Sequence, residues 1–141
     1  MKFTKETEYG LRMVYHLSMS TPRTKIISSR EMSEHQRIPH LFSLRIIKKL
    51  EKAGILEVFK GVHGGSRLKK DIKRITLKDI IEAIDGKICF TEEIGVKGDC
   101  NPQYEKSGIK KKLQEIEKEF LKRLSSVTMH DIVQNSKKNE K

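Results

Sequence analysis

The chain has no tryptophan, only two cysteines and three prolines in 141 residues, and an aromatic content of 6%. With Cys89 and Cys100 alone, a disulfide framework is excluded. No stretch approaches the roughly 18 consecutive apolar residues of a membrane span. The opening MKFTKETEYG lacks the apolar run of a secretory signal. These absences lead to the expectation of a cytoplasmic protein with no membrane partner. Catalytic patterns are missing too. His16, His35, His40, His63 and His130 form no H-x-x-x-H pair with an acid between them, and no Ser/His/Asp or Cys/His set lies at plausible local spacing. The stretch GVHGGSRLKK over 61–70 has three glycines in five positions. It lacks both the Lys-Ser/Thr of a P-loop and the dinucleotide pattern G-x-G-x-x-G. An enzyme is therefore not expected.

Acidic residues are also scarce, and unevenly so. The net charge is +11; residues 1–75 carry 17 Lys and Arg against 7 Asp and Glu, whereas residues 76–141 carry 13 against 12. A basic half joined to a near-neutral half is the electrostatic footprint of a nucleic-acid-binding unit with an appendage.

The patterning gives that unit a shape. Thr4 caps a first helix that ends near Met19, with Glu6 and Glu8 at its positive dipole end. Ser28 with Glu31 reads as a capping box, and Ile27 with Met32 as the matching hydrophobic staple, so a short helix begins there and ends near Arg37. Ile38-Pro39 makes a turn. Pro39 suits the first position of a third helix, whose apolar face is expected from Leu41, Leu44, Ile47 and Leu50, and Gly54 ends it. Ile55–Lys60 and Ser66–Lys69 then read as two short strands around the glycine loop. Helix, tight turn, helix, hairpin is a winged helix-turn-helix, with the second of its helices shaped for a major groove about 12 Å wide. The glycines of the wing are expected to let its backbone approach the sugar-phosphate edge. The fold class is mostly α, with a two-stranded β-hairpin wing and a long C-terminal dimerisation helix.

Thr76 starts a further helix that ends at Gly86 and completes a DNA-binding domain over 1–86. Residues 87–108 show no period and hold both cysteines, as a sensor loop would. A helix over about 104–126 carries Ile109, Leu113, Ile116, Phe120 and Leu124 as a narrow apolar seam between charged faces, which reads as a dimerisation surface. Thr128 with Asp131 starts a final short helix within a 104–135 unit, and residues 136–141 read as a disordered tail.

Six segments together resemble one family: MKFTKETEYGLRMVYHL, ISSREMSEHQRIP, KKLEKAGIL, KGVHGGSRL, ITLKDIIEAIDG and VTMHDIV. In order and spacing they look like the iron–sulfur and redox-responsive regulators of the IscR/NsrR/CymR type (the Rrf family). The resemblance implies a homodimeric transcription regulator that binds double-stranded DNA. It puts groove readers at Pro39, His40, Phe42 and Arg45, with Lys48 and Lys49 further along that helix. It puts wing contacts at Lys60, Gly61 and His63, and makes Ser28 and Ser29 the start of the supporting helix. Arg45 is the expected base reader, since arginine can bond guanine bidentately. Lys48, Lys49, Lys60 and Arg67 are expected at phosphates. Where the family often has glycine, this chain has Arg37; where it often has arginine and an aromatic residue in the wing, it has Lys60 and Ser66.

The resemblance also raises the question of a sensor. Cluster-binding members use three cysteines, at positions that fall here near Glu93, Cys100 and Ser107, and only Cys100 is cysteine. Cys89 lies four residues early. Glu8 stands where some relatives supply a carboxylate ligand, but the histidine they carry four residues later is Arg12. Three expectations stay open: a cluster-less regulator answering another signal, an iron–sulfur cluster held by Cys89, Cys100, Glu8 or other ligands, or a thiol switch at the two cysteines. Cys89, between Ile88 and Phe90, could equally be buried.

Overall fold

The computed structural model describes residues 2–90 and 102–140. Helix α1 runs over Lys5–Met19, with the Thr4 side chain accepting from the Thr7 N–H. Helix α2 covers Ser29–Gln36 and α3 covers His40–Lys52. Strands β1 (Leu56–Phe59) and β2 (Gly65–Leu68) pair antiparallel in the register Leu56↔Leu68, Glu57↔Arg67, Val58↔Ser66 and Phe59↔Gly65. A 3-10 turn at Ile72–Arg74 leads to α4 (Leu77–Asp85), α5 (Pro102–Lys106), α6 (Ile109–Ser126) and α7 (Met129–Asn139).

One core serves most of these elements. Met13, Val14 and Leu17 of α1 meet Ile46, Ile47 and Leu50 of α3, Ile80 and Ile84 of α4, and Met129 and Val133 of α7. Gly10 lets α4 come this close to α1, for a Cβ there would lie 1.9 Å from Ile84 Cδ1. Helices α4 and α7 begin side by side. Thr76 and Thr128 each form a complete capping box, and the Leu77 N–H donates to Val127 O at 3.0 Å while the Met129 N–H donates to Ile75 O at 2.8 Å.

Four expectations change. First, only half of the Ser28 box forms: Ser28 Oγ accepts from the Glu31 N–H at 3.1 Å, but the Glu31 carboxylate pairs with Lys25 Nζ at 3.8 Å. The staple holds, since Ile27 and Met32 are both buried. Second, the buried face of α3 is Ser43, Ile46, Ile47 and Leu50. Leu41 and Leu44 point outward, because a helix period of 3.6 cannot put 41 and 44 on the same face as 43, 46 and 50. Ser43 is tolerated inside because its hydroxyl is satisfied, donating to His40 O at 2.7 Å and lying 2.7 Å from Ser33 Oγ. Third, the helix expected over 104–126 is broken at Gly108, whose φ of 78° is left-handed. The remaining α6 has 18 residues and is about 27 Å long at ~1.5 Å per residue. Fourth, α7 continues to Asn139, through the first residues of the tail expected to lack order.

Candidate nucleic-acid interface

The turn between α2 and α3 is closed by backbone. Arg37 takes the left-handed conformation (φ 53°, ψ 48°), and the Ile38 N–H donates to Ser33 O at 2.9 Å. Glycine is the usual occupant of such a position because a Cβ crowds the following carbonyl. The turn is also held from α1, where the Arg12 guanidinium donates to Gln36 O and lies over the Tyr9 ring. Ser29 Oγ and His40 Nε2, 3.2 Å apart, join the starts of α2 and α3. Pro39 sits one position earlier than expected, at the N-cap of α3.

With its core side turned inward, α3 presents Leu41, Leu44, Arg45 and Lys48 outward at i, i+3, i+4 and i+7, which is one helix face. Phe42 lies at the edge of this face, edge-on to Tyr9 and beneath the Arg45 guanidinium. Glu6 of α1 reaches the same place. Its carboxylate accepts from Arg45 Nη1 at 3.0 Å and from Lys49 Nζ at 2.7 Å. The Lys49 hydrogen bond holds Glu6 below the ordinary carboxylate range against the opposing effect of burial, and Arg45 adds to it. Lys49 also donates to Ile84 O at 3.1 Å, so its amine braces α1 and α4 against α3, where a phosphate contact was expected. Lys48 stays on the exposed side.

The wing lies beside this face. Its tip is Lys60, Gly61, Val62, His63 and Gly64, and the first four are exposed. Two of its glycines are needed inside the hairpin itself. A Cβ on Gly64 would lie 2.2 Å from Phe59 O, and one on Gly65 2.4 Å from Ile27 O. Both therefore serve contacts of the hairpin with itself and with Ile27, whose N–H and C=O exchange hydrogen bonds with Ser66 at 2.9 Å each. Of the three wing glycines, Gly61 alone has open space around it, with a left-handed φ of 105°. Arg67 is engaged across the hairpin, donating to Glu57 at 3.1 Å and covering the Phe59 ring. A cleft of about 310 Å³ lies between the helices and the wing, lined by Ser28, Ser29 and Arg30 of the α2 start, His40 and Leu44 of α3, and Val58, Phe59 and the buried Ser66 of the hairpin.

The remaining expected residues do not gather here. Glu8 is exposed between two cations, with Lys5 Nζ at 3.5 Å and Arg12 Nη1 at 3.7 Å. Cys89 is exposed, in contrast to the buried alternative; Glu93 and Cys100 fall outside the described residues. Among the described residues no three His, Cys, Asp or Glu side chains converge as metal ligands would. Glu8 already has two cationic neighbours, and the described residues bring together no ligand set for an iron–sulfur cluster. On α6, Ile109 and Ile116 are 51% and 52% exposed, Leu113, Phe120 and Leu124 are half-buried, and the inner side touches α4 and Phe90.

Two helices joined by a tight turn and followed by a two-stranded wing define a winged helix-turn-helix protein. Residues 3–135 match the Rrf2 family model, described as an iron-dependent transcriptional regulator, and the chain belongs to that family. It is similar to the transcriptional regulator NsrR of Shouchella clausii, at 28% identity over 141 residues covering 96% of this chain and 90% of that one. Among solved structures it resembles T. potens IscR, with a TM-score of 0.75 at 20% identity, covering 100% of this chain and 92% of that one. It also resembles CymR of B. subtilis, the global cysteine regulator, with a TM-score of 0.72 at 22% identity, covering 96% and 98% of the two chains. No described helix is long and apolar enough to cross a membrane.

Sequence reasoning missed Glu6, which it read only as a helix-dipole partner, and placed Leu41 and Leu44 in the core. No sequence signal marked the second error, since a serine such as Ser43 enters the core only once its hydroxyl finds partners, here His40 O and Ser33 Oγ.

Proposed function

We propose that the chain is a homodimeric, sequence-specific DNA-binding transcription regulator. The observation that carries this reading is the outer face of α3, which offers Arg45 and Lys48 beside an exposed, basic wing tip while the opposite face is locked into the core. Arg45 is the base reader. Lys48, Lys60 and His63 meet the backbone, and Gly61 allows close approach at the tip. Ser28, Ser29 and His40, at the starts of α2 and α3, complete a phosphate-binding edge, where helix N-termini favour anions. Lys49 and Arg67 act indirectly, by holding α3 and the wing in shape. The α6 seam supports the dimer: a second copy would cover the exposed Ile109 and Ile116 and the outward parts of Leu113, Phe120 and Leu124, which are half-buried in the single chain.

The sensing reading we propose is cluster-less, with Cys89, which is exposed, and Cys100 left as thiols open to oxidation. Iron and acid-labile sulfide in anaerobically purified protein test that part, and stoichiometric amounts of both would overturn it.

The DNA reading is tested by fluorescence anisotropy with a duplex that the protein selects from random sequence, with light scattering to give the assembly mass. We expect a dimer whose log K falls with log salt at about −0.9 per neutralised phosphate. Arg45→Ala should reduce the preference for the selected duplex by about 10-fold or more, the value of one bidentate base contact, whereas Lys60→Ala should weaken all duplexes alike. Absence of any selected duplex would favour a protein-interaction relative that no longer binds DNA.

A further inference from the structure

We propose that Leu41 and Leu44 read the 5-methyl groups of thymines in the major groove, so that this protein selects operators with thymine at fixed positions of each half-site. The inference rests on the regulator reading and names what that regulator recognises.

Leu41 is 78% exposed and Leu44 is 44% exposed. An apolar partner would stabilise side chains left this open, because each now forgoes much of what burial gives. Their setting limits what the partner can be. Arg45, Lys48 and Lys52 lie on the same side of α3, and Arg30 and His40 flank the start of the helix. The Glu6 carboxylate is already engaged by Arg45 and Lys49. An occupant must therefore be a polyanion that carries isolated apolar groups. A DNA major groove meets both demands: phosphates line its edges, and the thymine methyl is the apolar group that a base pair presents there. An amphipathic helix of a protein partner fits less well, because two leucines among cations make no continuous apolar stripe.

Position along the helix agrees. Leu41 lies in the first turn of α3, and N-terminal residues of a recognition helix are the ones that reach base edges. Leu44 follows three residues on, about 4.5 Å along the helix axis, against a base-pair step of about 3.4 Å. The two side chains can thus address adjacent or next-but-one base pairs. Leu44 also lines the cleft facing Val58 and Phe59 of the wing, so it stands on the wing side of the groove and Leu41 on the other. Arg45 lies one turn on from Leu41, on its side away from Leu44, and supplies the polar contact.

The test uses the full-length protein and a duplex it selects from random sequence. Each thymine is replaced in turn by deoxyuridine, which removes only the methyl group. We expect the Kd to rise about three- to fivefold at one or two positions per half-site, the value of one buried methyl. The penalty should vanish at one position in Leu41→Ala and at another in Leu44→Ala, with melting temperature and salt slope unchanged, since neither side chain belongs to the core. Uniform binding to every deoxyuridine duplex would overturn the inference while leaving the regulator reading intact. So would a methyl penalty that persists unchanged in both variants. Failure to select any duplex would overturn the regulator reading itself. Self-association abolished by Leu41→Asp would give this face to a second copy of the chain and likewise refute thymine reading.

Discussion

Glu6 is the only carboxylate bonded to the proposed reader among the described residues, and Glu6→Gln isolates its effect. Arg45 Nη1 at 3.0 Å and Lys49 Nζ at 2.7 Å bond different oxygens of the carboxylate, so the substitution removes the charge and keeps one of the two acceptors. Two unit charges ~4 Å apart interact by about 4 kcal/mol at an effective dielectric of ~20. The Arg45 side chain is 62% exposed, however, and measured exposed pairs are worth only about 0.2–1 kcal/mol each. We therefore expect a stability loss of about 1 kcal/mol, read as a melting temperature lower by roughly 2–5 °C. DNA binding should move the other way. Removing the carboxylate releases Arg45 to a phosphate and removes a repulsion, so affinity for random duplexes at low salt should rise several-fold, with a salt slope steeper by about 0.9. The ratio of selected to random duplex should fall, because the guanidinium is no longer aimed. Acid titration gives a second reading. Glu6 is held below its ordinary value of 4.5, so its contribution to stability is fully present above that pH and is lost as pH falls through the lower, folded value. Glu6→Gln should therefore be less stable than the parent at neutral pH and converge with it in acid, which flattens that limb of the stability profile. A folded Glu6→Gln protein that binds random DNA no better than the parent at low salt would refute the role given to this carboxylate.

Two further outcomes are expected from backbone geometry. Gly65→Ala puts a Cβ 2.4 Å from Ile27 O; overpacking against backbone should cost about 1–3 kcal/mol and detach the wing, lowering the melting temperature and weakening DNA in the same anisotropy assay. Arg37→Gly relieves a left-handed residue at φ 53°; the strain of about 1–2 kcal/mol, less the extra freedom of glycine when unfolded, leaves a gain of about 0.5–1 kcal/mol in chemical denaturation. Arg37→Ala should show no such gain, and equal effects of the two substitutions would locate the benefit in the lost charge.

Much of this fold was legible because local signals agreed with one another. Thr4, Ser28, Thr76 and Thr128 each cap the helix that follows them, and Gly54 and Gly86 end theirs with positive φ. These signals act within four residues, so they survive without tertiary knowledge. The face of α3 was not legible for a different reason. That helix has apolar residues on two sides, and periodicity alone cannot tell which side meets the core when the other side is made to meet something else. Gly108 was misread because a single glycine inside a strong helical pattern is usually tolerated, at a cost of about 1 kcal/mol; here it takes a left-handed φ of 78° and splits the segment. Lys49 looked like a phosphate contact because sequence shows charge but not distance, and its partners Glu6 and Ile84 are 43 and 35 residues away.

The same helix that steadies the reader bears on what the protein senses. In this chain Glu8 and Arg12, one turn apart on α1, bond each other, and Arg12 goes on to Gln36 O in the turn that sets the angle between α2 and α3. The family resemblance puts ligand-bearing side chains at these two positions in some members, where a change of cofactor would act on α1. A guanidinium at position 12 gives that turn a fixed hydrogen-bond donor whose charge no physiological pH removes. With Glu6 and Lys49 tying α1 to α3 on the adjoining face, the helix-turn-helix is braced twice from α1 by side chains that need no metal. If the chain is the proposed DNA-binding dimer, a signal that releases DNA would then have to act elsewhere than on the α1 brace, through the proposed α6 seam or through the exposed thiol of Cys89 that follows α4.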